Sequence, residues 1–119
     1  MENTEIIKKS GIHINVSLDK ENLPTRIQWK AEDSGLEDEQ EAKAMILSFW
    51  DGLQQNALRI DLWAKEMNVE EMNLFLFQTI ATLGDTYERA TNNSEMANEI
   101  RDFANFFGKK TNVFDNTQK

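Results

Sequence analysis

The sequence predicts an α+β domain: a four-stranded antiparallel sheet of two hairpins, followed by two amphipathic helices packed on one face. Three observations carry that prediction. Apolar residues alternate with polar ones in short runs up to Trp63. They recur at three- and four-residue spacing after Asn68. Turn and cap residues stand at the joints between runs. The 119 residues suit a single domain, placed at 12–108, with a flexible N-terminus at 1–11 and a mobile tail at 109–119.

From Ile12 to Leu18 the alternation is strict, with Ile12, Ile14, Val16 and Leu18 on one side and His13, Asn15 and Ser17 on the other. A period of two is that of a half-buried strand. Asp19-Lys20-Glu21-Asn22 reads as a turn, and Arg26 to Ala31 alternates again through Ile27, Trp29 and Ala31. A four-residue loop would set Leu18 opposite Leu23, Ile14 opposite Ile27 and Ile12 opposite Trp29, with every apolar residue on one face. Glu32 to Glu41 is acidic, contains Gly35 and reads as a connecting loop or an irregular turn of helix.

Ala44 to Trp50 is apolar at almost every position, and Leu58 to Trp63 alternates Leu58, Ile60 and Leu62 with Arg59 and Asp61. Met45 to Phe49 could also begin a helix at Glu39. Strand is preferred, because Asp51-Gly52 is a turn signal that cuts the run short. A six-residue loop at 51–56 places Trp50 opposite Ala57. Met45, Leu47 and Phe49 then share a core face with Leu58, Ile60 and Leu62.

Asn68-Val69-Glu70-Glu71 has the form of a capping box, and Val69, Met72, Leu76, Ile80, Leu83 and Tyr87 follow as one helical stripe. Thr91 to Ser94 breaks that helix after about Arg89. A second carries Met96, Ile100, Phe103 and Phe107 and stops near Gly108. The tail from Thr111 is polar except for Val113 and Phe114. Met67, Met72 and Met96 read as core at this spacing, in preference to an adaptable peptide groove.

Composition narrows the function. A formal net charge of −8 argues against nucleic acid and against anionic membrane surfaces. No apolar run has the length of a secretory signal or a membrane span, so the expected location is the cytoplasm, with no membrane insertion. There is no cysteine.

Catalytic patterns are missing. His13, the sole histidine, alternates onto the polar side of its strand and reads as a surface residue. No nucleophile elbow or phosphate-cradling glycine loop occurs. The acidic run Glu32, Asp33, Glu37, Asp38, Glu39, Glu41 departs from a calcium loop, since Leu36 takes a place a ligand would need. No carboxylate pair stands out for glycoside hydrolysis. The expectation is a non-enzyme with no cofactor, metal or catalytic residue.

Large aromatics offer a surface instead. Opposite the core face of the second hairpin stand Ile46, Trp50, Arg59 and Trp63, with Ala44, Ser48 and Asp61. Tryptophan and arginine are enriched at binding hot spots, and an apolar patch with a polar rim commonly marks an interaction site. The alternative is that the acidic connection or the tail covers these tryptophans. A one-residue change in loop length would also exchange the two faces.

Several runs together resemble the gliding-motility protein family GldC. They are Ile27-Gln28-Trp29-Lys30-Ala31, Asp33-Ser34-Gly35, Glu41-Ala42-Lys43-Ala44, Leu47-Ser48-Phe49-Trp50-Asp51 and Leu58-Arg59-Ile60-Asp61-Leu62-Trp63. Lys65-Glu66-Met67, Glu71-Met72, Gln78-Thr79 and Asp85-Thr86-Tyr87-Glu88-Arg89-Ala90-Thr91 complete the likeness, which covers about residues 12–107. The resemblance implies a cytoplasmic accessory of gliding in Bacteroidetes-type bacteria, linked to type IX secretion. It supplies no enzymatic activity, cofactor or catalytic residue. Partners would be proteins of the gliding machinery, and self-association is open. In outline, four strands followed by two helices is also similar to the export chaperone SecB, which would imply an oligomeric holdase for unfolded clients.

Overall fold

The computed structural model describes residues 5–35 and 38–116. It divides into two compact units, Met1–Met67 and Asn68–Lys119, each taken by itself. The flexible N-terminus expected at 1–11 and the mobile tail expected at 109–119 fall in part on residues 1–4 and 117–119, which lie outside the described residues.

Among the described residues the regular elements of the first unit are all strands. β1 (Ile12–Leu18) pairs antiparallel with β2 (Pro24–Ala31), and β2 pairs with the short β3 (Gln40–Ala42). After a single residue, Lys43, the chain continues as β4 (Ala44–Asp51), which pairs with β5 (Asn56–Trp63). The expected single four-stranded sheet is therefore corrected: the order is β1-β2-β3 in one sheet and β4-β5 in another. One long run changes partner at Lys43, the kind of bend by which a strand passes between sheets.

Proline supplies a physical reason for the change. Alongside residues beyond Ala42, β2 would have to offer its first residues, and Pro24 has no N–H to donate to a ladder. β5 takes over from Ala44. The Ala64 N–H then donates to the Lys43 carbonyl at 2.7 Å and the Lys65 N–H to the Pro24 carbonyl at 3.0 Å, tying the end of β5 to the start of β2.

The first hairpin also pairs two residues away from expectation. Ile14 faces Trp29, Val16 faces Ile27 and Ile12 faces Ala31, and the register slips between Ser17 and Leu18. An even shift keeps the apolar residues together, since side chains alternate with period two. Asp19 sets the longer turn: its carboxylate accepts the Glu21 N–H at 2.8 Å and the Leu23 N–H at 3.1 Å, and Asn22 takes φ 64°. Ile27 is the large side chain this sheet buries completely, at 1% exposure. On the polar face Glu39 accepts from Asn15 and Gln28, and Glu41 takes both an Nε and an Nη2 bond from Arg26, at 2.9 and 2.6 Å.

The second unit is a helical hairpin of α1 (Val69–Thr91) and α2 (Ser94–Lys110), followed by a single turn, α3 (Val113–Asn116). The capping box is present: the Glu71 N–H donates to the Asn68 side chain at 2.7 Å, and the Asn68 N–H to the Glu71 carboxylate at 3.1 Å. α1 ends on Asn92 in the left-handed region (φ 59°), and the Asn93 side chain caps α2 by accepting the Met96 N–H. The helices meet along small residues, with Gly84, Ala97, Ala104 and Gly108 buried. The expected inward stripe is thus corrected in part, because Met96 and Phe103 stand about half exposed while the alanines face the partner helix. α2 runs two residues past Gly108, and beyond it Val113 is buried and Phe114 sets its ring edge-on to Phe77 at 5.1 Å.

Candidate functional site

The β4–β5 hairpin owes its register to Asp51. Its side-chain oxygen accepts the Leu53 and Gln54 N–H groups at 3.0 and 3.2 Å, its carbonyl accepts the Gln55 N–H at 2.7 Å, and Gln55 adopts φ 58°. The turn sets Asp51 opposite Asn56 and hence Trp50 opposite Ala57, Ser48 opposite Arg59, Ile46 opposite Asp61 and Ala44 opposite Trp63. That is the pairing read from the sequence, and it puts Ile46, Trp50, Arg59 and Trp63 on one face. Trp50 is 69% exposed, Trp63 52% and Ile46 40%. Both tryptophans thus keep more than half of their surface open.

The four residues share a face without forming one cluster. Trp50 and Trp63 occupy cross-strand levels six residues apart, roughly 20 Å at the rise of a β-strand. Ile46 is the diagonal neighbour of Trp63, and Arg59 that of Trp50. Diagonal cross-strand neighbours lie within reach of long and aromatic side chains. Between the ends, Arg59 Nε donates to Asp61 Oδ2 at 3.1 Å, so the centre of the face is an ion pair flanked by aromatics.

Beyond Trp63 the surface dips into a groove of about 240 Å³ lined by Leu23, Pro24, Asp61, Leu62, Trp63 and Lys65. Lys65 reaches Asp19 there, Nζ to Oδ2 at 2.8 Å. This bond, with the N–H groups of Leu23 and Glu21, holds the Asp19 carboxyl down at about 2. Sequence reading missed this feature because its two halves lie far apart along the chain and neither belongs to a motif.

The opposite face of the hairpin differs from expectation. Phe49, Leu58 and Ile60, read as core, are each about half exposed. The hairpin thus shows apolar side chains to both sides.

His13 is exposed and meets Glu32, Nε2 to Oε2 at 3.0 Å, while Glu32 also accepts the Gly11 N–H at 3.0 Å. Those contacts, His13 foremost, hold the Glu32 carboxyl below its ordinary range. Glu41 is lowered by Arg26. Glu37 and Leu36 of the acidic run lie outside the described residues. Among the described residues no three His, Cys, Asp or Glu side chains converge as a metal site requires, and no helix is long and apolar enough to cross a membrane.

These features define a class: a small, acidic α+β protein that displays a two-stranded aromatic face. A family model described as gliding motility-associated protein GldC-like matches residues 24–113, and the chain belongs to that family. No curated protein and no solved structure matches it.

Proposed function

We propose that this protein serves gliding motility from the cytoplasm as a non-enzymatic accessory of the gliding and type IX secretion machinery, acting by binding protein through the Ile46, Trp50, Arg59, Trp63 face. The observation that carries the reading is Trp50 at 69% exposure, in register on one sheet face with Trp63, Arg59 and Ile46. An exposed indole costs free energy in water that a partner surface recovers by covering it, at roughly 25 cal/mol per Å² of apolar area. The central ion pair gives such an interface its register, since charges fix orientation and reject wrong partners more than they add affinity. A pull-down from native lysate tests it, comparing wild type with W50A/W63A. Loss of the captured proteins is expected; an unchanged set would refute binding through this face.

A second reading, a cytoplasmic holdase for unfolded or exported clients, is favoured by the half-exposed Phe49, Leu58, Ile60, Phe103 and Phe106. Client-aggregation assays separate it from the first: a holdase suppresses aggregation in proportion to its concentration, and a dedicated adaptor leaves it unchanged.

A further inference from the structure

We propose that the partner closing the Trp50–Trp63 face is a second copy of this chain, related by a two-fold axis that crosses the strands between the Ile46/Asp61 and Ser48/Arg59 levels. The proposal rests on the reading of this face as a binding surface and names its occupant.

The argument is the self-complementarity of the face. Four cross-strand levels present Ala44 with Trp63, Ile46 with Asp61, Ser48 with Arg59, and Trp50 with Ala57. A dimer interface of two-fold symmetry must fit its own surface turned about. A two-fold axis lying in the interface and perpendicular to the strands reverses the levels and keeps β4 against β4 and β5 against β5. Trp50 then falls on Ala44 of the second copy, and Trp63 on Ala57. Arg59 falls on Asp61, and Ile46 on Ser48. Each indole meets a methyl group, which leaves room for it between sheets packed at the usual spacing of about 10 Å. Each guanidinium meets a carboxylate.

The charges point the same way. Arg59 and Asp61 already pair within one strand at 3.1 Å, and both side chains are well exposed. Two copies stacked in this register set the pairs in alternation, positive over negative, so each ion gains a second opposite neighbour. A shift by one level would place Arg59 over Arg59 or Asp61 over Asp61. The opposite face of the hairpin, with Phe49, Leu58 and Ile60, has no such charge pair to set a register.

Eight residues per copy are fewer than the roughly 20–30 of a standard interface. Association is therefore expected to be concentration-dependent, with the Leu23–Pro24 groove beside Trp63 extending the contact.

Sedimentation of the full chain over a concentration series tests the proposal with paired charge variants. Wild type is expected to rise from 13.8 kDa toward twice that mass. R59D and D61R each set like charges against one another in a homodimer, and each is expected to remain at the monomer mass. Mixed in equal amounts, the two are complementary at every charged contact, so the dimer mass returns. That recovery also shows that neither variant is misfolded. A mixture that stays monomeric overturns the proposal, as do variants that dimerise like wild type. A monomeric wild type whose captured proteins are lost in W50A/W63A overturns the second copy and leaves the binding reading standing. A monomeric wild type whose captured proteins survive that substitution overturns both.

Discussion

Asp19 and Lys65 lie 46 residues apart in the chain, and their side chains meet at 2.8 Å. The bond joins the turn between β1 and β2 to the residues that follow β5. It sits next to a backbone bond between the same two regions, Lys65 N–H to the Pro24 carbonyl. The first sheet and the second hairpin are thus fastened by one side-chain clasp and one main-chain clasp.

The clasp titrates. Asp19 is held down from 3.8 to about 2, first by Lys65 and then by the backbone N–H groups of Leu23 and Glu21. A carboxylate lowered on folding stabilises the fold in full above its unfolded value and loses that contribution as pH falls through the folded value. Asp19 therefore stabilises the protein above about pH 3.8, and the contribution disappears toward about pH 2. Urea midpoints measured across that interval should fall more steeply for wild type than for D19N. The asparagine oxygen can still accept the two turn N–H groups, so the turn is kept while the charge is lost. Equal slopes for the two proteins would contradict the assignment.

A second prediction concerns the start of α1. The reciprocal bonds of Asn68 and Glu71 satisfy two backbone donors that the helix itself leaves open. N68A should lower stability by about 1 kcal/mol, the usual cost of losing an N-cap, whereas N68S should lose little. Chemical denaturation followed at the helical circular-dichroism band checks both. An N68A protein as stable as wild type would show the box to be idle.

The glycines of the helical hairpin give a third. A methyl group at Gly108 would stand 2.9 and 3.0 Å from two ring atoms of Phe114 and 3.0 Å from the ring of Phe77. Two stiff rings cannot both move aside, and overpacking costs about 1–3 kcal/mol against the roughly 0.5–1 kcal/mol that alanine gains over glycine in a helix. G108A should lose about 1 kcal/mol net. At Gly84 the closest atom is one methylene carbon and not two rings, Arg101 Cγ at 2.9 Å, although the guanidinium is held by Asp85 and Glu88 and the Ala97 carbonyl oxygen lies at 3.1 Å. G84A should therefore cost less than G108A. Thermal melts of the two variants side by side decide it; the reverse order would refute the packing argument.

Much of this architecture was legible because local chemistry decides it. Asp51-Gly52 sets a tight turn, and from that turn the whole β4–β5 register and the shared face of Ile46, Trp50, Arg59 and Trp63 follow by counting. The Asn68/Glu71 box needed only its spacing. The first hairpin was less transparent. Its alternation gives the faces, but the Asp19 turn and the slip after Ser17 move the partners by two residues.

What the sequence hid is non-local. β3 has three residues with Glu41 in the middle, too short and too polar to show a period, and it forms because β2 lies alongside. The break at Lys43 depends on where Pro24 falls on the neighbouring strand. In α2, hydrophobicity points to Phe103, whereas close helix approach is made by Ala97, Ala104 and Gly108, which carry little or no side chain to announce it. The exposure of Phe49, Leu58 and Ile60 is likewise a property of packing that no pattern of alternation reports.

The change of partner at Lys43 bears on how the protein is made. Each ladder joins a strand to the one just before it: β2 to β1, β3 to β2, β5 to β4. β2, β3 and β5 therefore each find their template already synthesised, and the ladders themselves close only short loops, which favours rapid folding. The last main-chain bond of the sheets, from Lys65 to Pro24, is available before α1 begins at Val69. The strand half thus holds every partner its ladders need before the helical half has emerged.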